Sequence, residues 1–332
     1  MRVPYDTMVA EFNRVLLKYK MEPEKALKAA HLFADASRDG VYTHGLNRFP
    51  RFISYIEQGA VDVNAEPELV AEFGALARYD GKSGPGNLNA AFCADKAMEL
   101  ADKYGVGVVA IGNTNHWMRP GAFGLQAAEK GYMAILWTNT TPNLPAWGSD
   151  EARLGNNPIV FAVPSRQGIV LLDVAMSMFS YGKIEQYMRA GKPLPVAGGY
   201  DTKGELTTDA SEIWQTNRAL PIGYWKGSGM SLMLDLFASV LSGGRNVHKI
   251  GELPQEAELC QLFMMINMDA FGDREAMLDK IDDTLNYVAA SHPAAEGIKV
   301  RWPGQGMKRT RDDNMANGIP VDEEIWNSVL KM

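Results

Sequence analysis

The sequence predicts an α/β chain of the α+β type, with helices first and a mainly antiparallel sheet after them. Helical periodicity covers the first sixty residues, and helix-like and strand-like segments alternate from Leu88 onward. Two apolar runs, Ile159 to Val163 and Ile169 to Val174, are separated only by Pro164 to Gly168. That connection is too short for the crossover helix that parallel strands need, so the pair is expected to be antiparallel.

In the first helix Met8, Val9, Phe12, Val15, Leu16 and Tyr19 share a face, with Asp6 available as a cap. Glu22 and Pro23 open a second helix whose stripe is Leu27, Ala30, His31 and Ala34, and Asp39-Gly40 ends it. The glycine-rich segment Asp80 to Gly86 breaks the pattern and sets a domain boundary just before it. Beyond it come a helix at Leu88 to Lys103, a strand at Val106 to Ile111, a helix at Ala122 to Lys130 and a strand at Met133 to Thr138. After the hairpin, Lys192 to Leu220 is rich in Gly, Pro, Thr and Asp and reads as a long surface excursion. A helix at Ser228 to Leu241, a strand at Leu262 to Met268 and a helix carrying Met277, Leu278, Ile281, Leu285 and Val288 follow. The last forty residues carry no sheet signal.

Composition narrows the class. Of 332 residues 46% are apolar, enough for a sizeable core. Lys plus Arg number 33 against 40 Asp plus Glu, so the net charge of -7 gives no footprint for nucleic acid or an anionic membrane. Met1 to Lys20 lacks the continuous apolar core of a secretory signal. Cys93 and Cys260 match no zinc or redox spacing and read as reduced packing residues of a cytoplasmic protein.

Gly105-Val-Gly107-Val-Val-Ala110 has the letters of a dinucleotide fingerprint, but a helix precedes it and a strand follows, the reverse of the required order. Gly81-Lys82-Ser83 fails as a P-loop because Leu76 stands where its first glycine is needed. Trp225-Lys226-Gly227-Ser228-Gly229 opens a helix and reads equally as an anion site or as a Ser228-capped terminus with a solvated lysine.

Of five histidines, His31, His248 and His292 read as structural or surface residues, and no spacing supports a metal site. In Thr43-His44-Gly45-Leu46-Asn47-Arg48 an imidazole lies four residues before a guanidinium, and Pro50 warns that a helix starts inside the motif. Arginine clamps a carboxylate and histidine protonates a nascent alkoxide, which suits a 2-keto acid; a surface salt bridge beside a helix entry is the alternative. Asn113-Thr-Asn115-His116-Trp117 directly follows a strand, and its amides, imidazole and indole suit carbonyl or polyol recognition.

Together these motifs, with Gly155-Asn156-Asn157-Pro158, Asp173-Val-Ala-Met-Ser177 and Gly223-Tyr-Trp-Lys226-Gly227, resemble the malate/L-lactate dehydrogenase-like oxidoreductases from end to end. The resemblance implies a non-Rossmann, predominantly antiparallel nucleotide-binding sheet over residues 76–289. It also implies a helical domain over residues 1–75, with residues 290–332 packing back on it, and a homodimer. His44 would be the proton donor, with Asp173 a candidate to orient it. Arg48, Asn115 and His116 would bind the substrate. NAD, preferentially as NADH but with NADPH possible, would lie along Ile169, Val170, Leu171, Leu172, Asp173, Val174 and Ala175, then Trp225 and Lys226, then Gly304, Gln305 and Gly306. Family members usually carry an acidic residue at or beside position 306, and Gln305-Gly306 supplies none. Thr43 replaces a common serine and keeps its hydroxyl. The expected reaction is reduction of the C2 carbonyl of a 2,3-diketo acid. Another 2-keto acid or cyclic imine, or a non-catalytic sugar-acid binding protein, are the rival readings.

Overall fold

A computed structural model describes residues 1–332. The short strand β1 (Arg2–Val3) leads into α1 (Tyr5–Lys18), which buries Met8, Val9, Phe12, Val15 and Leu16. Pro4 stands at its N-cap, and Asp6 lies in its first turn. Helix α2 (Pro23–Arg38) buries Ala26, Ala29, Ala30, Phe33, Ala34 and Ser37. Leu27 and His31, which the sequence reading puts on its stripe, face solvent, because Phe33 turns the inner face by about one residue. Two single 3₁₀ turns, Tyr42–His44 and Leu46–Arg48, precede α3 (Phe49–Glu57). Pro50 fits there because the first turn of a helix needs no amide donor from it. Phe12, Phe33, Phe49 and Phe52 pack ring on ring at the centre of this helical part.

The sheet begins earlier than the sequence suggests, with the hairpin of β2 (Glu68–Phe73) and β3 (Leu76–Asp80). Its strand β2 is exposed throughout and so shows no alternation of polar and apolar residues. Then come α4 (Gly86–Tyr104), β4 (Val106–Thr114), α5 (Gly121–Glu129) and β5 (Tyr132–Thr138). Gly105, at φ +81°, is the left-handed C-cap of α4, so this glycine ends a helix instead of opening one. A small ladder, β6 (Leu144–Pro145) with β7 (Ala152–Leu154), precedes β8 (Ile159–Val163) and β9 (Val170–Val174). These last two are antiparallel, with Ile159 opposite Val174 and Val163 opposite Val170.

Helix α6 (Tyr181–Arg189) follows, and the stretch read as a surface excursion is partly structured. It holds the hairpin β10 (Gly199–Tyr200) and β11 (Leu206–Thr207) and helix α7 (Ala210–Thr216). It also buries Leu194, Ala210, Ile213 and Ala219 in a core shared with α8 (Trp225–Ser242). Its apolar residues fall singly among polar ones, which hides this from a periodicity reading. After α9 (Val247–Ile250), the long strand β12 (Leu259–Asn267) runs through the middle of the sheet, and α10 (Arg274–Ala289) lies outside it. Helices α11 (Met307–Asn317) and α12 (Glu323–Lys331) close the chain, and between them β13 (Ile319–Pro320) pairs with β1. A two-residue strand leaves no periodic signal, which is why none was expected there.

The seven-stranded sheet has the order β2-β3-β4-β12-β5-β8-β9, and only β3 with β4 is parallel. Its central strands are buried on both faces. Val109, Ile111 and Phe263 meet α4 and α5 on one side, while Ala110 and Leu262 meet α8 on the other. The helical part has a third core, in which Trp326 and Val329 of α12 pack with α1 to α3.

Candidate active site

The loop after β4 lies between two cores. Trp117 packs with Phe123 and Phe263 in the sheet core, whereas Met118, at φ +64°, packs into the helical core. The indole expected to meet ligand is therefore a core residue. Between these anchors and β4, His116 is turned toward the 3₁₀ turn that carries His44. The two imidazoles stack with centroids 5.9 Å apart and planes 25° from parallel.

His116 Nδ1 accepts the Met118 amide at 3.0 Å, which places the proton of the neutral ring on Nε2. Burial, then Arg48 and His44, hold its pKa well below the usual range. His44 Nδ1 pairs with Thr43 Oγ1 at 3.0 Å. Its pKa is lowered to about 4, first by burial and then by the charges of Arg48 and Arg119. Both rings are thus neutral at pH 7. Gly182, at the start of α6, lies against Thr43: a Cβ there would stand 2.8 Å from Thr43 Cβ. Only glycine lets α6 close over this turn.

Arg48 follows on the second 3₁₀ turn. Its guanidinium faces the Glu256 carboxylate at 3.6 Å, beyond a full hydrogen bond, and its buried Nη2 has no hydrogen-bond partner. The sequence motif therefore brings His44, Arg48 and His116 together, as expected.

Asn115 and Asp173 turn out differently. Asn115 spends its amide nitrogen on the carbonyls of Ala60, Ser83 and Gly84, so it brackets the loops around the site, and only its buried Oδ1 remains unpaired. Asn113 is likewise engaged, with Asp80 and Ser83. Asp173 makes no hydrogen bond to His44. Its Oδ2 accepts the Gly121 amide at 2.9 Å, at the N-terminus of α5, where a carboxylate is favoured. Desolvation pushes this carboxyl up to about 6, against the Gly121 hydrogen bond and the charge of Arg119.

Sequence reasoning missed Arg119, Asp39, Arg311 and Glu256. Asp39, read only as a helix end, is buried and takes hydrogen bonds from Arg38, Arg119 and Arg311. These arginines hold its carboxyl far below the usual range against the opposing effect of burial. This cluster joins α2, the His116 loop and α11. Arg119 lies two residues beyond the Asn113 to Trp117 run, but nothing in the sequence pairs it with Asp39.

The three segments expected to hold cofactor converge on the edge strand β9. The Leu171 amide donates to Pro303 O at 3.1 Å, and the place of a Cβ on Gly304, at φ +89°, is taken by Ile169 O and Leu171 N. At the other end, the Ile222 amide donates to Met176 O at 2.8 Å and brings the start of α8 alongside. Helix α8 begins at Trp225, earlier than expected, and Ser228 is not its cap: its Oγ accepts the Trp147 amide at 2.8 Å. Trp225 is 62% exposed, Lys226 is exposed, and Gly306 has nothing within 4 Å of where a Cβ would stand. An exposed indole, a lysine and bare backbone along an edge strand fit an extended anionic dinucleotide.

The sequence profile of the malate/L-lactate dehydrogenase family matches residues 3–330. The chain is 43% identical over 334 aligned positions to the 2,3-diketo-L-gulonate reductase of Pasteurella multocida, with all of both chains covered. Malate dehydrogenase from Entamoeba histolytica superposes with a TM-score of 0.95 at 25% identity, covering 100% of this chain and 96% of that one. Sulfolactate dehydrogenase from Methanocaldococcus jannaschii gives 0.91 at 28%, again covering 100% and 96%. The fold and these matches define an oxidoreductase acting on CH–OH groups. The chain belongs to the malate/L-lactate dehydrogenase family.

Proposed function

We propose that this protein reduces 2,3-diketo-L-gulonate at its C2 carbonyl with NADH, and that His44 supplies the proton. The observation that carries the proposal is the convergence of His44 and His116 beside a buried Arg48 guanidinium with no hydrogen-bond partner. The full-length likeness to a reductase of that name supports it.

Held along Ile169 to Ala175, Trp225-Lys226 and Gly304 to Gly306, the nicotinamide cofactor would supply the hydride; the residues of the chain manage charge and position. Arg48 takes the substrate carboxylate in a bidentate pair. That carboxylate offsets the charge of Arg48, one of the causes that keep His44 deprotonated, so substrate binding raises the affinity of His44 for a proton. His44 then passes this proton to the nascent alkoxide. His116, neutral with its proton on Nε2, donates a hydrogen bond to a substrate oxygen. Asp173 acts through the α5 N-terminus, which follows directly on the His116 loop, and does not touch His44.

Ile169 to Ala175, Trp225-Lys226 and Gly304 to Gly306 are the proposed cofactor contacts. NADH is preferred from the family resemblance alone. A homodimer is supported by α8, where Met230, Met233, Phe237 and Val240 share one face and are 48% to 71% exposed. A scan of 2-keto acids with NADH and NADPH, read at the nicotinamide absorbance, tests the function. The diketo sugar acid with NADH should be turned over most efficiently, and a clear preference for oxaloacetate or pyruvate would replace this reading.

A further inference from the structure

Arg48 and Glu256 face each other as an ion pair too long for a full hydrogen bond. Their side chains are 16% and 18% exposed and 3.6 Å apart. The Arg48 guanidinium makes no hydrogen bond, and its Nη2 is buried. Such an arrangement is poor as a structural salt bridge, since a desolvated ion pair repays its cost only with close geometry and further hydrogen bonds. It suits two groups held ready for a third.

Arg51 and Tyr55 complete the surroundings. Positions 48, 51 and 55 follow helical spacing away from Phe49, Phe52 and Ile53, which enter the helical core. Arg48, Arg51 and Glu256 together carry one net positive charge, which one carboxylate neutralises. Glu256 is an acceptor only, and Tyr55, its phenol kept protonated by burial and by Glu256, also donates.

We propose that Glu256, on the loop between α9 and β12, is a specificity residue that accepts hydroxyl groups of a polyhydroxy monocarboxylate and repels a second carboxylate. This rests on the sugar-acid reading above. Arg48 takes the carboxylate, Glu256 accepts from a hydroxyl farther along the chain, and a dicarboxylate meets like charge at the same place. In the sequence Glu256 lies among other acidic residues, Glu252 and Glu258, with nothing to distinguish it.

The test compares wild type with Glu256→Gln and Glu256→Ala on 2,3-diketo-L-gulonate, pyruvate and oxaloacetate. In Glu256→Gln the ratio of kcat/KM for the polyhydroxy acid over pyruvate should fall at least about tenfold, mainly through KM, as expected for a lost hydrogen bond to a charged group. The ratio for oxaloacetate over pyruvate should rise by about as much. Calorimetric binding of L-gulonate and malate to the NADH-loaded enzyme, where neither can react, should show the same two shifts. If wild type reduces no polyhydroxy acid, the functional reading fails, and the calorimetry still decides the role of Glu256. Unchanged ratios in both measurements, or equal losses on all three acids with a lowered melting temperature, would overturn the proposal.

Discussion

His44 and His116 stack at 5.9 Å although one belongs to the turn before α3 and the other to the loop after β4. Each ring is fixed by a neighbour of its own, Thr43 Oγ1 for His44 and the Met118 amide for His116. The pair therefore reports whether the helical part and the sheet are correctly docked. Neither ring is positively charged at neutral pH without substrate.

This gives a signed pH dependence. Reduction consumes a proton held by His44, whose pKa in the free enzyme is about 4. The kcat/KM for reduction should therefore fall about tenfold per pH unit above that value, whereas kcat, reporting the substrate-bound enzyme, should break at a higher pH. In the oxidative direction the neutral ring is the base, so kcat/KM should rise through about 4 and then level off as far as His44 is concerned. Initial rates across pH in both directions check this.

Arg48→Lys should lower kcat/KM on a keto acid by at least about tenfold, equivalent to about 1.4 kcal/mol, because an ammonium cannot form the bidentate pair. Melting temperature should hardly change. On an uncharged diketone, wild type and variant should differ little; equal loss on both substrates would make Arg48 structural.

Asp39→Asn should cost about 3 to 5 kcal/mol of stability, since it leaves Arg119 buried beside a neutral amide. The carboxyl of Asp39 is held below its unfolded value, so the stability it adds is present above about pH 4 and is lost as pH falls from there. Denaturant melts of both proteins at descending pH should converge in acid.

Gly182→Ala should disturb the site more than the fold. The added methyl would press on Thr43 Cβ at 2.8 Å, next to His44 on the same turn. Turnover should fall about tenfold or more, with a modest change in melting temperature. Parallel kinetics and thermal melts measure both.

The sequence revealed what repeats or closes locally. The β8–β9 pairing followed from a five-residue connection, and the late start of α3 from Pro50. His44, Arg48 and His116 were legible because their side-chain chemistry is unusual at those spacings. Contacts between distant segments were not. Asp39 reads as a helix end until Arg119 and Arg311 arrive from other parts of the chain, and Asp173 reads as a catalytic partner until Gly121 is seen on its carboxylate. Asn115 looked like a ligand contact for the same reason, since three carbonyls from two other loops claim its amide.

The central claim is that His44 delivers the proton, and the most direct measurement is turnover of His44→Ala together with its affinity for NADH. The account predicts that kcat falls roughly 10²- to 10⁴-fold while the NADH dissociation constant stays within about twofold, because a general acid acts in the transition state. Turnover near the wild-type rate with cofactor binding intact would contradict it and remove His44 from the reaction.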